Sequence, residues 1–250
     1  MGKRIFLTVL GIVCVFPLGM LAGQSFSVSP GEPAVWQYWM TLFRNIRFYA
    51  WFWNSFFSVV CIIILAVPVS LLAGYGFSQF RFRGRDALFF LYIVLMLLPF
   101  QATIVPQYLT LHAFRLLDTR ASYILPNAFG AFGAFLMTQY MCGIDRELLD
   151  AGRIDGLTEF GILTSLVAPL CRPAVSTFVI LLFLDNWSMI EQPVVFVRDI
   201  AKMPLAAELS AQNFPEGAAA AGVVFAILPT LAALCGRDDL IRGISLSSLK

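Results

Sequence analysis

The chain has 250 residues, 59% of them apolar and only 13% charged, about half the charged share of an ordinary globular chain. Its 17 basic and 15 acidic residues leave a net charge of +2, too small to signal a nucleic-acid partner. The charges are segregated: residues 5–31, 48–80, 87–114, 121–144 and 217–236 contain no Lys, Arg, Asp or Glu. Each of these blocks meets the roughly 20 residues needed to cross a bilayer core, which excludes a soluble enzyme and a disordered tail. The expected fold is an all-α membrane protein with six transmembrane helices.

In chain order, the first span is predicted over 5–23, after Gly2-Lys3-Arg4. Its apolar run is longer than the core of a secretory signal and precedes further spans, so retention is expected, although Leu21-Ala22-Gly23 leaves cleavage open. Residues 35–53 follow, with Trp36, Tyr38, Trp39, Tyr49, Trp51 and Trp53. Such rings settle at a membrane surface, which predicts an interfacial helix; stacking on sugar rings is the alternative. The second, third and fourth spans are predicted over 54–78, 87–109 and 122–141. Between the second and third, the tight turn Arg81-Phe82-Arg83-Gly84-Arg85 reads as a determinant of topology rather than a ligand site. Prolines 68, 99, 106, 126 and 229 fall in or near spans, where each removes a backbone donor and loosens its helix.

The fifth span is predicted over 170–187, with Arg172 snorkelling to the near surface. At its far end Asp185, Asn186, Trp187 and Glu191 cluster. Ionisable groups at a span mark a solute path by default, and Trp beside carboxylate and amide suits a polyol. The competing reading has Trp187 as an interface anchor and Asp185 paired with a neighbour. The sixth span covers 217–236, and a tail of 237–250 follows. With six spans and both termini cytoplasmic, inner segments hold eleven basic residues against six outside, as the positive-inside rule requires. The five cysteines have no C-x-x-C spacing and read as small apolar residues, so no metal site is expected.

The loop between the fourth and fifth spans, 144–165, carries the functional argument. Asp145 can cap a first helix, Leu148, Ala151 and Ile154 fall on one face with Leu149 and Gly152 beside them, and Gly156 permits a left-handed stop. A second helix is predicted from Thr158. Asp145, Glu147, Asp150, Asp155 and Glu159 face only Arg146 and Arg153, an acidic loop on the side that should be basic. Such a patch suits a basic protein partner better than an anionic lipid surface; a merely solvated loop is the other reading.

The run Asp150-Ala151-Gly152-x-x-Asp155-Gly156, followed after nine residues by Leu166-Val167-Ala168-Pro169, resembles the E-A-A-x-x-x-G loop of binding-protein-dependent ABC importer permeases. It departs from that pattern at Asp150 for Glu, Gly152 for Ala and Ala168 for Leu. The stretches 73–84, 98–106 and 116–119 also match, as does Trp187 with Pro193 six residues on, although Ser188 stands where Asn is usual. The tail 242–250 resembles the end of the smaller permease subunit of maltose-type, carbohydrate importers.

This resemblance implies a transport subunit working with a second permease, two ATP-binding cassette subunits and an extracytoplasmic solute-binding protein in the bacterial inner membrane. It implies that the 144–165 loop is a cytoplasmic coupling helix seated in the ATPase. Asp150, Ala151, Gly152, Asp155 and Gly156 would form that contact, joined by Arg242 and Gly243 of the tail. The chain has no G-x-x-x-x-G-K-[ST] run, so ATP and Mg belong to the partner ATPase and this chain binds no cofactor. A non-sugar solute (a polyamine, phosphate ester or peptide) stays open because the loop is shared, and a secondary transporter is the remaining alternative.

Overall fold

The computed structural model describes residues 2–26, 35–211 and 217–237. Helix is the only regular structure among them. Helix α1 is Gly2–Phe26 and α2 is Val35–Arg44. Asn45 then caps α3, Ile46–Gln79, by accepting the Arg47 N–H at 3.0 Å. At 34 residues, α3 is about 50 Å long, well beyond the roughly 30 Å of a bilayer core. The second span therefore belongs to a helix that starts eight residues before its expected beginning at Asn54. The aromatic segment 35–53 is not one interfacial helix: its second half forms the first turns of α3, because Asn45 stops one helix and starts the next.

The third span is expected as one helix over 87–109 but is two, α4 (Arg85–Met96) and α5 (Phe100–Ala113), bent by 104°. Pro99 lies at the bend, where it has no N–H to continue the ladder and biases Leu98 away from helical backbone. The fourth, expected over 122–141, likewise divides into α6 (Ala121–Ala128) and α7 (Ala131–Met141). Helix α8 is Arg146–Ile154, and α9 is Glu159–Leu170, which includes a wider π turn over Leu163–Val167. A 76° bend leads into α10, Arg172–Trp187, so the helix of the fifth predicted span begins at Arg172 itself. Pro173 in its first turn is compatible with such a start. Helices α11 (Glu191–Phe196) and α12 (Leu205–Ser210) are short, and α13 (Ala218–Cys235) matches the sixth predicted span closely. Ile46–Gln79 and Ala218–Cys235 are each long and apolar enough to cross a membrane, and counting each bent pair as one span raises the total to four.

Three buried clusters hold these helices together. The largest joins Ala66 and Tyr75 of α3, Met137 and Met141 of α7, Leu149 of α8, Ile162 and Val167 of α9, and Phe178 of α10. One core thus runs from the apolar helices into the polar loop. Close approach in it depends on glycine: a Cβ on Gly133 would collide with the Ser70 hydroxyl and the Phe178 ring. Small residues serve this purpose in membrane bundles, where backbones must come near for dispersion to act. A second cluster packs Leu42, Phe48 and Trp51 on Leu205, Ala220 and Ala221, and a third unites Ile62, Tyr123, Ile124 and Val197.

The end of the bundle opposite the α8–α9 loop is held by polar bonds. Buried Asn54 donates to the carbonyls of Ala201 (2.8 Å) and Met203 (3.0 Å) and accepts from Arg120 Nε at 2.9 Å. The Asp118 carboxylate, at a left-handed residue (φ 58°), accepts the N–H groups of Arg198 and Asp199 at 3.0 and 2.9 Å. Those two bonds hold its carboxyl below the usual range, with Lys202 adding to the effect. The Asp118 N–H in turn donates to the Phe196 carbonyl at 2.9 Å. A segment poor in regular structure is fixed in this way against α3 and α6.

Candidate functional site

The α8–α9 hairpin stands on the large core. Gly156 has φ +84°, the conformation that ends α8 without a Cβ clash, and the Leu157 N–H returns to the Gly152 carbonyl at 3.0 Å. Thr158 then caps α9 through its hydroxyl, which accepts the Gly161 N–H at 3.2 Å. Asp145 occupies the N-cap position of α8, but its side chain makes no cap bond there. It stays exposed, and its stabilising role is limited to the charge it places at the helix N-terminus.

Of the two adjacent apolar stripes on α8, the one that packs is not the main triplet. Leu149 and Gly152 are buried, whereas Leu148, Ala151 and Ile154 point outward, Ile154 with 86% exposure. Leu157 and Phe160 extend this apolar surface. Gly152 packs close to α9: a Cβ there would lie 2.8 Å from Leu166 Cδ1, so the flexible Leu side chain would have to yield.

Charge on the hairpin is organised around Arg153. Its guanidinium donates to Asp150 Oδ1 at 2.6 Å and to Glu159 Oε1 at 2.8 Å, bridging the two helices. Glu159 Oε2 accepts the Tyr75 hydroxyl at 2.6 Å, which ties the hairpin to the end of α3. Arg153 and then Tyr75 hold the Glu159 carboxyl below its ordinary range. A carboxylate with a depressed folded-state pKa contributes above its unfolded pKa and loses that contribution as pH falls through the folded value. The tether is therefore present at neutral pH and is lost only in acid below the ordinary Glu range. Asp145, Glu147 and Asp155 are exposed and have no ion pair among the described residues. The outer surface of the hairpin thus combines an apolar patch with unpaired acids.

Among the residues predicted to line a solute path, Asp185 and Glu191 are exposed and Asn186 is buried, donating to the Leu182 carbonyl at 2.9 Å. Trp187 is fully buried. Its Nε1 donates to the Phe225 carbonyl at 3.0 Å, and Phe183 and Phe225 stack on its ring with Phe52 edge-on. Both ring faces are occupied by protein, so the side chain locks α10 to α13. Arg242 and Gly243 lie outside the described residues.

The structure adds Tyr75 to the site. Sequence reasoning places it in a motif after the second span but has no signal that pairs it with Glu159, 84 residues away. Arg153 was legible as a charge and not as the hub between two helices.

No family model matches the chain. Among curated proteins, the arabinooligosaccharides transport system permease protein AraQ of Bacillus subtilis is 28% identical over 264 aligned residues, covering 98% of this chain and 94% of that protein. The lactose transport system permease protein LacG of Rhizobium radiobacter is 30% identical over 184 residues, 72% of this chain and 67% of its own length. The chain belongs to the sugar ABC importer permeases. A permease of this family is a membrane-embedded transport subunit of an ATP-driven importer. Its fold agrees: a chain from the crystal structure of a bacterial ABC transporter involved in the import of alginate superposes with a TM-score of 0.80 at 20% identity, covering 93% of this permease and 92% of that chain.

Proposed function

We propose that this permease moves a sugar or oligosaccharide across the bacterial inner membrane, together with a second, non-identical permease, two ATP-binding cassette subunits and an extracytoplasmic solute-binding protein. Six spans place both termini and the α8–α9 hairpin in the cytoplasm. There α8 is the coupling helix, and the ATP and Mg that drive it are held by the partner ATPase. The sugar assignment is supported by relatives named for arabinooligosaccharide and lactose transport.

The observation that carries the coupling role is the hairpin's two-sided construction. Its inner side shares a buried core with α3, α7 and α10, while its outer side exposes Leu148, Ile154 and Phe160 beside unpaired acids. A rigid element rooted in the helices and adhesive outside passes motion between the two, since both sites then bias one bistable body. Asp150, Ala151, Asp155 and Gly156 lie on or border that outer side. Gly152 lets α8 sit close on α9, and Arg242 and Gly243 of the tail reach between the ATPase subunits.

The solute path runs past the outer end of α10. Asp185 and Glu191 face the solute there, and Asn186 and Trp187 hold the helix end in place. In proteoliposomes containing the whole importer, Asp185→Ala and Glu191→Ala are each expected to lower uptake of an oligosaccharide about tenfold while assembly and basal ATP hydrolysis persist, the scale of one lost charged hydrogen bond. Unchanged uptake in both variants would remove these carboxylates from the path.

A further inference from the structure

The basic turn after α3 gains a member in the folded chain that no spacing rule supplies. Arg146, the first residue of α8, closes a cavity of about 400 Å³ whose other wall includes Arg81, Phe82, Gly84, Arg85 and Asp86. Three guanidinium groups therefore line the cavity against one carboxylate. That carboxylate is already engaged, with Asp86 Oδ1 2.7 Å from Arg85 Nη2. Arg81 and Arg146 have no ion pair or side-chain hydrogen bond among the described residues. Gly84, at φ +85°, folds the chain back so that the end of α3 and the start of α4 share this wall. Guanidinium forks match the paired oxygens of a phosphate or a carboxylate bidentately.

Position at the end of an apolar helix selects the source of the phosphate. The cavity lies where α3, long and apolar enough to cross a membrane, emerges, and Phe80 and Phe82 are exposed beside it. Basic residues clustered just beyond a span end are attracted to an anionic headgroup surface. We propose that this cavity binds the phosphate diester of an anionic phospholipid, of the phosphatidylglycerol class, and so bridges the α3–α4 turn to the first residue of α8 through a lipid. The headgroup-level placement rests on the membrane-spanning reading above, but on neither the solute nor the direction of transport. Lipid would then be a structural part of the coupling hairpin's root.

The test uses the intact complex, purified with its partner subunits and stripped stepwise of lipid in detergent, without ATP. Retained phosphatidylglycerol is measured by mass spectrometry against phosphatidylcholine after return to mixed nanodiscs. Wild type is expected to enrich phosphatidylglycerol, and Arg81→Gln with Arg146→Gln should lower the retained amount about thirtyfold, from about 1 kcal/mol per basic residue. Arg83→Gln, in the same turn but not lining the cavity, should retain it like wild type, and Arg146→Lys should keep most of it. Co-purification of the partner subunits establishes that each variant is folded. Equal losses from Arg83→Gln and from the double variant would reduce the effect to diffuse charge and overturn the site. Undiminished retention by the folded double variant would overturn it as well. A third arm titrates inorganic phosphate: full displacement of the lipid at millimolar phosphate would assign the cavity to a soluble anion and overturn the lipid. Because no step requires hydrolysis or uptake, failure here leaves the import reading untouched, and failed import leaves this result standing.

Discussion

Alanine at Gly74 is expected to destabilise the folded bundle by about 2–3 kcal/mol, near the upper end of overpacking costs, and leucine there to prevent the chain from accumulating. A Cβ at Gly74 would lie 2.5 Å from Met137 Cβ and 3.0 Å from both the Met137 carbonyl carbon and the Thr138 nitrogen. Two of those three atoms are backbone, so no rotamer change relieves the clash and α7 itself must move. Met137 is also fully buried in the core that continues into α8 and α9, so displacement of α7 disturbs the root of the coupling hairpin. Gly76 is the internal control. It lies in the same helix with open space around its Cβ position, and alanine there should be neutral or slightly stabilising through better helix propensity. Thermal unfolding of the purified variants in one detergent separates the two cases. Equal midpoints for Gly74→Ala and Gly76→Ala would contradict the close α3–α7 contact.

The second large effect concerns Asp150. Its side chain is 63% exposed and pairs with Arg153 at 2.6 Å, an i,i+3 contact on the surface of α8. Exposed pairs of that kind contribute roughly 0–1 kcal/mol, so the internal contact alone predicts little from its loss. If Asp150 also meets a basic residue of the ATPase, Asp150→Lys puts like charges together at an interface and should cost about 2–5 kcal/mol, well over tenfold in complex occupancy. Asp150→Glu restores the family's usual residue and should be mild. Asp150→Asn removes the charge without reversing it and should fall between them. A pull-down of the ATPase by each variant gives the order directly. An Asp150→Lys protein that binds the ATPase normally would show that this carboxylate serves Arg153 and nothing else.

How much of this was legible depends on which physical signal each feature leaves in the sequence. Uncharged blocks of membrane length announce α3 and α13 because the bilayer imposes that length. Breaks within blocks are harder to see. Pro99 is expected to loosen its helix, but the loss of one N–H does not by itself fix a bend of 104°. The break between α6 and α7 falls at Phe129 and Gly130, three residues beyond the nearest proline, where one glycine is only a weak local signal.

In the hairpin, Gly156 and Thr158 were readable because turn and cap chemistry is local. The buried face of α8 was not. Helical periodicity finds two adjacent stripes, Leu148-Ala151-Ile154 and Leu149-Gly152, and only the tertiary fold chooses between core and partner. Trp187 reveals the same limit from the other direction. An aromatic beside polar residues suits a solute, but the stacked Phe183 and Phe225 that enclose its ring come from elsewhere in the fold or from one helical turn back.

The outward stripe of α8 offers the most direct test of the coupling role. A photoreactive phenylalanine analogue at Ile154, the most exposed apolar residue of that helix, can be irradiated in membranes that express the complete importer. Cross-linked products are then identified by mass spectrometry with and without ATP. The coupling role predicts a dominant adduct with the ATP-binding subunit, at a position that shifts when ATP is present. Adducts confined to lipid or to other parts of this chain, in a complex that still transports, would contradict it.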